Sequence, residues 1–415
     1  MCNNNGHCRK FDAGTMCPSY RVTRDEQHLT RGRANTLRLA LSGQLGAEAF
    51  TSKSMFDAMD LCVSCKGCKR DCPTGVDMAK MKIEFLAHYK ARHGHTLKDR
   101  LIAHLPAYAG AASRVPWLAN LRDTLPGAAW LSEKLLGLSA KRSLPKWRAD
   151  TFWRTHDPAL FASRDATIAA AQRGEKTAVL FVDTFNGSFE TENAVAAARV
   201  LKAGGYTLHT LSSGGGHYCC GRTYLSAGMV SEAKARAGAL VDALLPLARA
   251  GIPIVGLEPS CLLTLRDEAL VMGLGESAQV VALQALLFEE FIAREAAAGR
   301  FALKFRAAGR PVLLHGHCHQ KAFGAMDCVL DVLRLIPDAL PELIESSCCG
   351  MAGSFGFDAE HFDVSMQMAE AKLLPAVRRA ADAIIVADGT SCRHQIADGA
   401  QREALHVARL LEQLL

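Results

Sequence analysis

Hydrophobic and polar positions divide the chain into an N-terminal part with a helical pattern and a C-terminal part in which strands alternate with helices. Short apolar runs recur from about residue 176 onward, and a stretch of helical composition, Ala194–Ala203, separates the first two. Such alternation predicts parallel sheets with helices on both faces. The predicted strands cover 178–183, 206–208 (where a strand begins), 252–257, 311–315 and 383–387.

The C-terminal part also repeats itself, because Val179-Leu180-Phe181 corresponds to Val312-Leu313-Leu314. Each copy then carries a Cys-Cys-Gly triplet and, at a similar distance, a cysteine that follows a strand. Open parallel sheets bind ligands at the carboxyl ends of their strands. The alignment places Phe185 opposite Cys318, so the second copy offers one thiol more than the first. We predict metal ligands at Cys318, Cys348, Cys349 and Cys392 and, as a weaker set, at Cys219, Cys220 and Cys261.

Two earlier segments have a different character. Residues 23–59 have helical composition, with an apolar face that includes Leu37, Leu39, Ala40, Leu41 and Leu45. In residues 80–155 Lys and Arg outnumber Asp and Glu, and all four tryptophans lie there. This second segment predicts either contact with a membrane surface or an acidic partner, or a helical linker whose tryptophans pack on neighbouring domains. We favour the linker.

Composition narrows the class of protein. A length of 415 residues predicts two or three domains, and a net charge of +6 does not by itself indicate nucleic-acid binding. No apolar run approaches the roughly 18 residues needed to span a bilayer. The first residues do not have the pattern of a signal peptide. The 15 cysteines are clustered, which favours metal binding in a reducing cytosol.

The strongest motif runs from Cys62 to Pro73 and reads C-x2-C-x2-C-x3-C-P. This spacing is typical of ferredoxins, in which thiolates hold an iron–sulfur cluster. Zinc sites usually pair two C-x2-C motifs across a longer loop, so a structural zinc site is the weaker interpretation. We expect Gly67 to let the backbone approach the cluster sulfides.

A second cysteine set precedes this motif, and it also ends in a Cys-Pro pair, Cys17-Pro18. In two-cluster ferredoxins the cysteine of each Cys-Pro pair ligates the other cluster. The predicted set for one cluster is therefore Cys17, Cys62, Cys65 and Cys68. A second cluster would have Cys2, Cys8 and Cys72, which is one ligand short unless His7 or Asn5 completes it. The sequence leaves open whether there are one or two 4Fe–4S clusters.

Other residues near these motifs are weaker candidates. His315, His317 and His319 flank Cys318 and could add ligands or proton-transfer groups. We expect Lys66, Lys69 and Arg70 to raise the reduction potential of the cluster through their positive charge. Each Arg of the basic stretch 30–34 is expected on a solvated helix face, and Cys328 is expected in the core.

With these residues laid out, the chain resembles a group of iron–sulfur and cysteine-rich (CCG) proteins. The group includes heterodisulfide reductase B-type subunits, the glycolate oxidase iron–sulfur subunit and the C-type subunit of glycerol-3-phosphate dehydrogenase. The opening run from Cys2 to Asp25 is similar to the C-terminal half of FAD-linked D-2-hydroxyacid dehydrogenases of the D-lactate and D-2-hydroxyglutarate type. The resemblance implies a multidomain fold, with an all-helical ferredoxin domain followed by a duplicated α/β CCG domain. The corresponding boundaries are 1–100, 101–170 (the linker), 171–300 and 301–415.

The resemblance implies electron transfer from a reduced flavin to a quinone or another acceptor. No FAD-binding stretch precedes Cys2, so we expect FAD on a partner or on a domain outside this sequence. The cysteine-rich copies could hold a further iron–sulfur centre or zinc. Two alternatives stay open: a disulfide or thiol reductase that acts at the CCG site, and a zinc-stabilised docking scaffold. The expected location is the cytoplasm, with a peripheral contact to the inner face of the membrane as a further expectation.

Overall fold

The N-terminal part is built from helices and loops. The structure is a computed structural model and describes residues 2–12, 14–212 and 217–415. Met55, Met59 and Phe85 form much of the N-terminal core, which also contains the cysteines of this part except Cys65. Its helical segments are His7–Arg9, Pro18–Thr23, Glu26–His28, Thr30–Leu41, Ala49–Thr51, Lys53–Asp60, Gly67–Asp71 and Met78–His93.

The apolar face predicted for residues 23–59 is only half right. Leu37 and Ala40 are buried, whereas Leu41 and Leu45 are exposed. The cause is that the helix Thr30–Leu41 ends at Leu41, so the chain turns before Leu45 could continue the same face.

Short helices connect this part to the first sheet. Trp147 packs on Phe189, with ring centroids 4.7 Å apart, and Trp153 packs on Gly187, but Trp117 and Trp130 are exposed. The prediction that the tryptophans pack on neighbouring domains is therefore confirmed for two of them and wrong for the other two. The helices are Leu97–Ala103, Leu105–Ala112, Pro116–Ala119, Leu121–Thr124, Ala128–Leu136, Phe152–Thr155, Pro158–Leu160 and Arg164–Gln172.

The first α/β unit contains a four-stranded parallel sheet in the order β2-β1-β3-β4. Its strands are β1 (Thr177–Phe181), β2 (Thr207–Thr210), β3 (Ile254–Gly256) and β4 (Ala285–Leu287). Every residue of β1 is buried, as its continuous apolar run predicts for an inner parallel strand. The helices are Thr184–Ser188, Thr191–Ala203, Arg222–Ser226, Val230–Arg249, Pro259–Leu265, Glu268–Val271, Gly275–Gln284 and Phe288–Ala297.

The second α/β unit contains a three-stranded parallel sheet in the order β6-β5-β7. Its strands are β5 (Val312–Leu314), β6 (Glu342–Leu343) and β7 (Ile384–Val386). A parallel bridge from Val386 to Leu405 lies where β4 lies in the first sheet. The helices are Cys318–Phe323, Met326–Leu333, Phe355–Phe357, Phe362–Glu370, Leu373–Arg379, Thr390–Ala400 and Val407–Gln413.

The two sheets have the same register at their centres. Val179 pairs with Ile254 in the first sheet, and Val312 pairs with Ile384 in the second. Beyond these strands the sequence alignment is off by one residue, because the loop after β5 is one residue longer than the loop after β1. The first helical residue is Thr184 in one unit and Cys318 in the other, so Thr184, and not Phe185, stands opposite Cys318.

Of the seven strands that the described residues form, five follow the sequence prediction, and the two that it missed, β4 and β6, are short edge strands. β4 is bordered directly by helices on both sides, so no turn residues mark it. Cys328 lies in the helix Met326–Leu333 and is partly exposed, which corrects the expectation of a core position. Within the described ranges, no helix is both long enough and apolar enough to cross a membrane.

Candidate functional site

Four cysteines from the two N-terminal motifs line one cavity: Cys17, Cys62, Cys65 and Cys68. The loop that carries three of them curls tightly, because Ser64 and Lys66 both have left-handed backbone angles, with φ of 48° and 59°. Such angles cost free energy in residues with a side chain and persist where the surroundings hold them.

Gly67 brings the two motifs together, which differs from its predicted role near the sulfides. A Cβ atom at Gly67 would lie 2.9 Å from the Thr15 Cβ and 3.0 Å from the Met16 nitrogen. The carboxylate of Asp71 holds the same segment, since it accepts hydrogen bonds from the Thr15 and Met16 amides at 2.6 and 3.1 Å. The segment that leads to Cys17 is thereby fixed against the helix Gly67–Asp71.

The surroundings of these thiols suit metal-bound sulfur. The Thr30 amide donates to Cys17 Sγ at 3.2 Å, and the Met78 amide donates to Cys68 Sγ at 3.4 Å. Burial raises the pKa of Cys17 to about 11 and also raises that of Cys65 and Cys68. Buried thiols of this kind ionise when a metal centre supplies positive charge. Four cysteines around one cavity therefore fit an iron–sulfur cluster.

Arg33 corrects the expectation of a solvated helix face. It is buried, its Nε donates to the Ala58 carbonyl at 2.9 Å, and its Nη2 donates to Ser19 Oγ at 3.0 Å. Its charge lies near Cys17 and lowers the pKa of that thiol against the larger effect of burial. Arg33 is thus a buried cation beside the cavity.

Cys2, Cys8 and Cys72, the predicted second set, lie in the same N-terminal core. The Arg31 amide donates to the buried Cys8 thiol, and Cys2 lies nearby. The side chain of Asn5, one of two predicted fourth ligands, is exposed and holds a local turn through Asn3 and His7.

Lys66 and Lys69, which we predict to raise the reduction potential of the cluster, form ion pairs with the first α/β unit. The Lys66 ammonium is buried and lies 2.7 Å from the Asp267 carboxylate and 2.6 Å from that of Glu268. Lys69 also contacts Asp267, at 2.7 Å. These ion pairs hold the loop on the first α/β unit. Two further cations share the same carboxylates at 2.6 Å, Lys80 and Arg222, so four positive charges face two negative ones.

The second cysteine-rich site adjoins the cavity directly. Cys318, Cys348, Cys349 and Cys392 form a row in which each buried thiol lies beside the next. Gly350 permits this geometry, since its φ is 86° and a Cβ there would lie 2.2 Å from the Ser365 carbonyl oxygen. Across the boundary, the Cys318 thiol raises the pKa of Cys65, after the larger effect of burial.

His315 completes this site. Its Nδ1 lies 2.9 Å from Ser346 Oγ, and the Ser346 hydroxyl donates to the Ile344 carbonyl at 3.4 Å. The hydroxyl is therefore the acceptor for Nδ1–H, which leaves the lone pair of Nε2 toward the thiols. The ligand atoms of His315, Cys349 and Cys392 all lie within 4.8 Å of one another. Burial lowers the pKa of His315 to about 4, which keeps the ring neutral.

Two side chains of the helix Cys318–Phe323, those of Lys321 and His319, serve different roles. Lys321 Nζ donates to the carbonyls of Ser346 and Ser347 at 2.5 and 3.1 Å and lies among the thiols, where its charge would compensate thiolates. His319 Nε2 lies 3.2 Å from the Ser64 carbonyl, so it contacts the loop of the first cavity and is not directed at the metal ligands.

The first cysteine-rich site keeps the row Cys219, Cys220 and Cys261 but loses the rest. Counted from strand end and helix start, Val182 replaces His315, Thr184 replaces Cys318, and Gly187 replaces Lys321. Trp153 fills the space, since a Cβ at Gly187 would lie 1.8 Å from its ring. His217 stacks on that ring at 4.5 Å and lies 2.9 Å from Thr184 Oγ1. Among the described residues, no imidazole or fourth thiol joins these three cysteines in a ligand set.

Glu258 lies between the two sites. Its carboxylate caps the helix Pro259–Leu265 through the Ser260 amide at 3.3 Å and accepts the Thr390 amide at 2.9 Å. Cys261 and Cys392 are each the third residue of the helix that follows. His317, expected as a ligand or proton-transfer group, lies 3.9 Å from Glu258.

Several of these residues were not predicted from the sequence: Ser346, Lys321, Glu258, Trp153 and Asp267. Only Ser346 has a local signal in the sequence. It lies two residues before its Cys-Cys-Gly triplet, and in the first α/β unit the polar residue His217 lies at the same distance before the other triplet. The others act through contacts with segments far away along the chain.

Comparison with known families agrees with these sites. The model for the 4Fe-4S dicluster domain matches residues 1–76, and the model for the cysteine-rich CCG domain matches residues 312–397. These two matches support iron–sulfur cofactors.

The chain is similar to larger dehydrogenases and to subunits of two other oxidoreductases. The chain is 25% identical over 431 residues to D-2-hydroxyglutarate dehydrogenase of Escherichia coli K12, covering 95% of this chain and 41% of that protein. It is 25% identical to the C-type subunit of anaerobic glycerol-3-phosphate dehydrogenase of the same strain, over 77% of this chain and 78% of the relative. It is 24% identical to the glycolate oxidase iron-sulfur subunit of that strain, over 99% and 93%. The chain thus spans about two fifths of the dehydrogenases it matches, and these relatives support an electron-transfer module.

Proposed function

We propose that this chain is the iron–sulfur electron-transfer module of a FAD-linked D-2-hydroxyacid dehydrogenase of the D-lactate or D-2-hydroxyglutarate type. The observation that carries the proposal is the packing of the two thiol sites on each other, in which His319 Nε2 lies 3.2 Å from the Ser64 carbonyl and Cys65 and Cys318 belong to one buried cluster. A cluster held by Cys17, Cys62, Cys65 and Cys68 supplies one-electron transfer when bound.

The exposure of the thiols suggests the direction in which electrons pass through the chain. The N-terminal set of Cys2, Cys8 and Cys72 includes partly exposed thiols and suits entry from a flavin partner. The thiols of the second CCG site are buried, and we propose that His315, Cys349 and Cys392, with Cys318 and Cys348, hold a metal or iron–sulfur centre there. The first CCG site has fewer ligands and stands outside the path.

The remaining parts of the proposal concern organisation and partners. We retain the division into 1–100, 101–170, 171–300 and 301–415, with a helical first domain and a CCG domain that arose by duplication. The matched sheet registers support the duplication. The proposed donor is a FAD-binding domain or subunit, and the acceptor is a quinone or another carrier, reached through a peripheral membrane contact.

The burial of the second site favours electron transfer over a disulfide reductase. All four of its thiols are buried. A disulfide substrate needs access of its sulfur atom to an attacking thiolate. Electrons need only a short separation between sites, which the packing of the two sites provides.

The test is anaerobic reduction of the purified chain with dithionite, followed by reoxidation with decylubiquinone and EPR at each step. We expect iron and acid-labile sulfide, a reduced cluster signal, and reoxidation that slows at least about tenfold in Cys349→Ser. Cys220→Ser is the matched control and should reoxidise as the wild type does. Absence of iron and sulfide, or equal rates in both variants, would contradict the proposal.

A further inference from the structure

An apolar surface in the linker is left uncovered. We define the linker patch as Trp117, Leu118, Leu125, Trp130, Leu131 and Leu135, all at least half exposed. Trp117 is 69% and Leu135 is 73% exposed. Six large apolar side chains within nineteen consecutive residues of one linker exceed the scattered exposure that is normal for a protein surface.

The linker patch is a fixed structure. Its helices Pro116–Ala119, Leu121–Thr124 and Ala128–Leu136 pack on one another. Arg122 joins them, since its Nε donates to Ser132 Oγ at 3.3 Å and its Nη2 to the Ser139 carbonyl at 2.6 Å. On the longest helix, Trp130, Leu131, Lys134 and Leu135 follow i, i+1, i+4 and i+5 spacing and share one side. This side exposes three large apolar residues beside one lysine, whereas an ordinary surface helix turns its apolar residues toward the core.

Cationic side chains outnumber acidic ones around the linker patch. Arg114, Lys134 and Lys146 are exposed, and none of them has a carboxylate at ion-pair distance among the residues that the structure describes. The two acidic residues of this stretch are occupied, because Asp123 accepts the Leu144 amide at 2.8 Å and Glu133 accepts the Ala140 amide at 2.7 Å. Surfaces that enter the headgroup region of an anionic bilayer typically combine Trp and Leu side chains with adjacent Lys and Arg side chains.

The linker patch also lies on the side of the second CCG site. Leu138 bridges to Asp358, and the Ala359 amide donates to the Gly137 carbonyl at 2.9 Å. Arg142 is buried and bonds to Gln395 at 2.8 Å, on the helix Thr390–Ala400 that carries Cys392. The helix that displays Trp130 is therefore followed within a few residues by a segment that contacts the surroundings of the thiols.

We propose that the linker patch docks this chain on an anionic lipid membrane and turns the side of the second CCG site toward the bilayer. The chemistry of the surface, apolar and cationic together, matches acyl chains and phosphate headgroups better than a second copy of the chain, whose like charges would repel. The proposed orientation rests on the function proposed above, whereas the docking itself rests on the exposed residues.

The test is flotation of the full chain with vesicles of phosphatidylcholine alone and of phosphatidylcholine mixed with phosphatidylglycerol. We expect binding to the mixed vesicles, with the partition coefficient reduced roughly tenfold or more by the double change Trp117→Ser and Trp130→Ser. The double change Leu283→Ser and Leu340→Ser, at positions 81% and 86% exposed elsewhere, is the matched control and should bind as the wild type does. Lys134→Gln with Arg114→Gln should weaken binding to the mixed vesicles alone.

Three results would overturn the docking: absence of binding to the mixed vesicles, equal loss in both double variants, or a dimer that the tryptophan variant dissociates in light scattering. Vesicle binding requires no redox reaction, so it can fail while electron transfer persists, and electron transfer can fail while binding persists. To test that the linker patch itself enters the bilayer, brominated lipids should quench the tryptophan fluorescence of the wild type and not that of the Trp117→Ser, Trp130→Ser variant, which keeps the two tryptophans packed in the protein.

Discussion

The two cysteine-rich sites share a backbone and differ in what surrounds their thiols. Each has a Cys-Cys-Gly turn with the glycine at φ 86°, and each has a later cysteine in the first turn of a helix. The second site adds Cys318, His315 and Lys321, whereas the first fills that space with Trp153. The comparison shows that the Cys-Cys-Gly turn builds a row of thiols, and that the residues after the first strand of each unit decide whether a ligand set forms.

Loss of the contact between the N-terminal cavity and the second site should have the largest effect. Cys65→Ser removes a thiol that lines the cavity and lies beside Cys318. We expect the rate of quinone reduction by the dithionite-reduced chain to fall by more than about a hundredfold. Cys219→Ser, in the first site, is the control and should leave the rate within about twofold of the wild type. Equal losses would mean that both sites carry electrons.

His315→Ala should lower the metal affinity of the second site, whereas the equivalent change in the first site should have no effect on metal binding. Removal of the imidazole leaves Cys349 and Cys392 without the third member of their ligand set. We therefore expect the affinity of the second site for its metal to fall by about 10- to 100-fold. His217→Ala removes the imidazole of the first site and should leave the metal content unchanged. Competition with a chelator, followed by metal analysis, measures both. Retention of full affinity by His315→Ala would show that the imidazole is not a ligand.

Gly187→Ala should disturb only the first site. The new Cβ would lie 1.8 Å from the Trp153 ring and must displace it. Overpacking of this kind costs about 1–3 kcal/mol of the free energy of unfolding. Chemical denaturation measures the loss, and Gly110→Ala, in the helix Leu105–Ala112 with open space around the added Cβ, is a comparison for the effect of the methyl group alone. A metal content altered by Gly187→Ala would argue that the first site also binds metal.

Acid should weaken the first site through His217. Burial lowers the pKa of His217 from 6.5 to about 4, so the folded protein keeps the ring neutral while the unfolded chain protonates. The contribution of the neutral ring to the free energy of unfolding is present above pH 6.5 and is lost as the pH falls toward 4. We expect about 1–2 kcal/mol of the free energy of unfolding to be lost in that window, because the ring is partly exposed. His217→Gln should flatten this part of the pH profile, and an unchanged slope would contradict the assignment.

Residue patterns predicted the parts of the molecule that depend on local sequence. The spacing of Cys62, Cys65 and Cys68 and the apolar runs of the inner strands are local. The structure brings the three cysteines to one cavity, and the inner strands lie where the apolar runs predict. The prediction that Phe185 stands opposite Cys318 is wrong because the loop after β5 is one residue longer than the loop after β1, and an ungapped alignment cannot show such a difference. Arg33 and Trp153 are fixed by contacts with segments distant along the chain, and no nearby residue signals their burial.

The role of His315 illustrates the same limit at the level of chemistry. Three histidines flank Cys318, but their sequence does not distinguish them. Ser346 fixes the ring of His315 toward the thiols, the Ser64 carbonyl binds His319, and Glu258 lies beside His317. Their different roles follow from tertiary contacts.

The most direct test of the central claim is the content of iron, zinc and acid-labile sulfide in the anaerobically purified chain and in two matched variants, Cys392→Ser and Cys261→Ser. The account predicts that Cys392→Ser loses the metal of the second site while it keeps the N-terminal cluster, and that Cys261→Ser keeps the metal content of the wild type. Loss of metal from Cys261→Ser equal to that from Cys392→Ser, or full retention in Cys392→Ser, would contradict it.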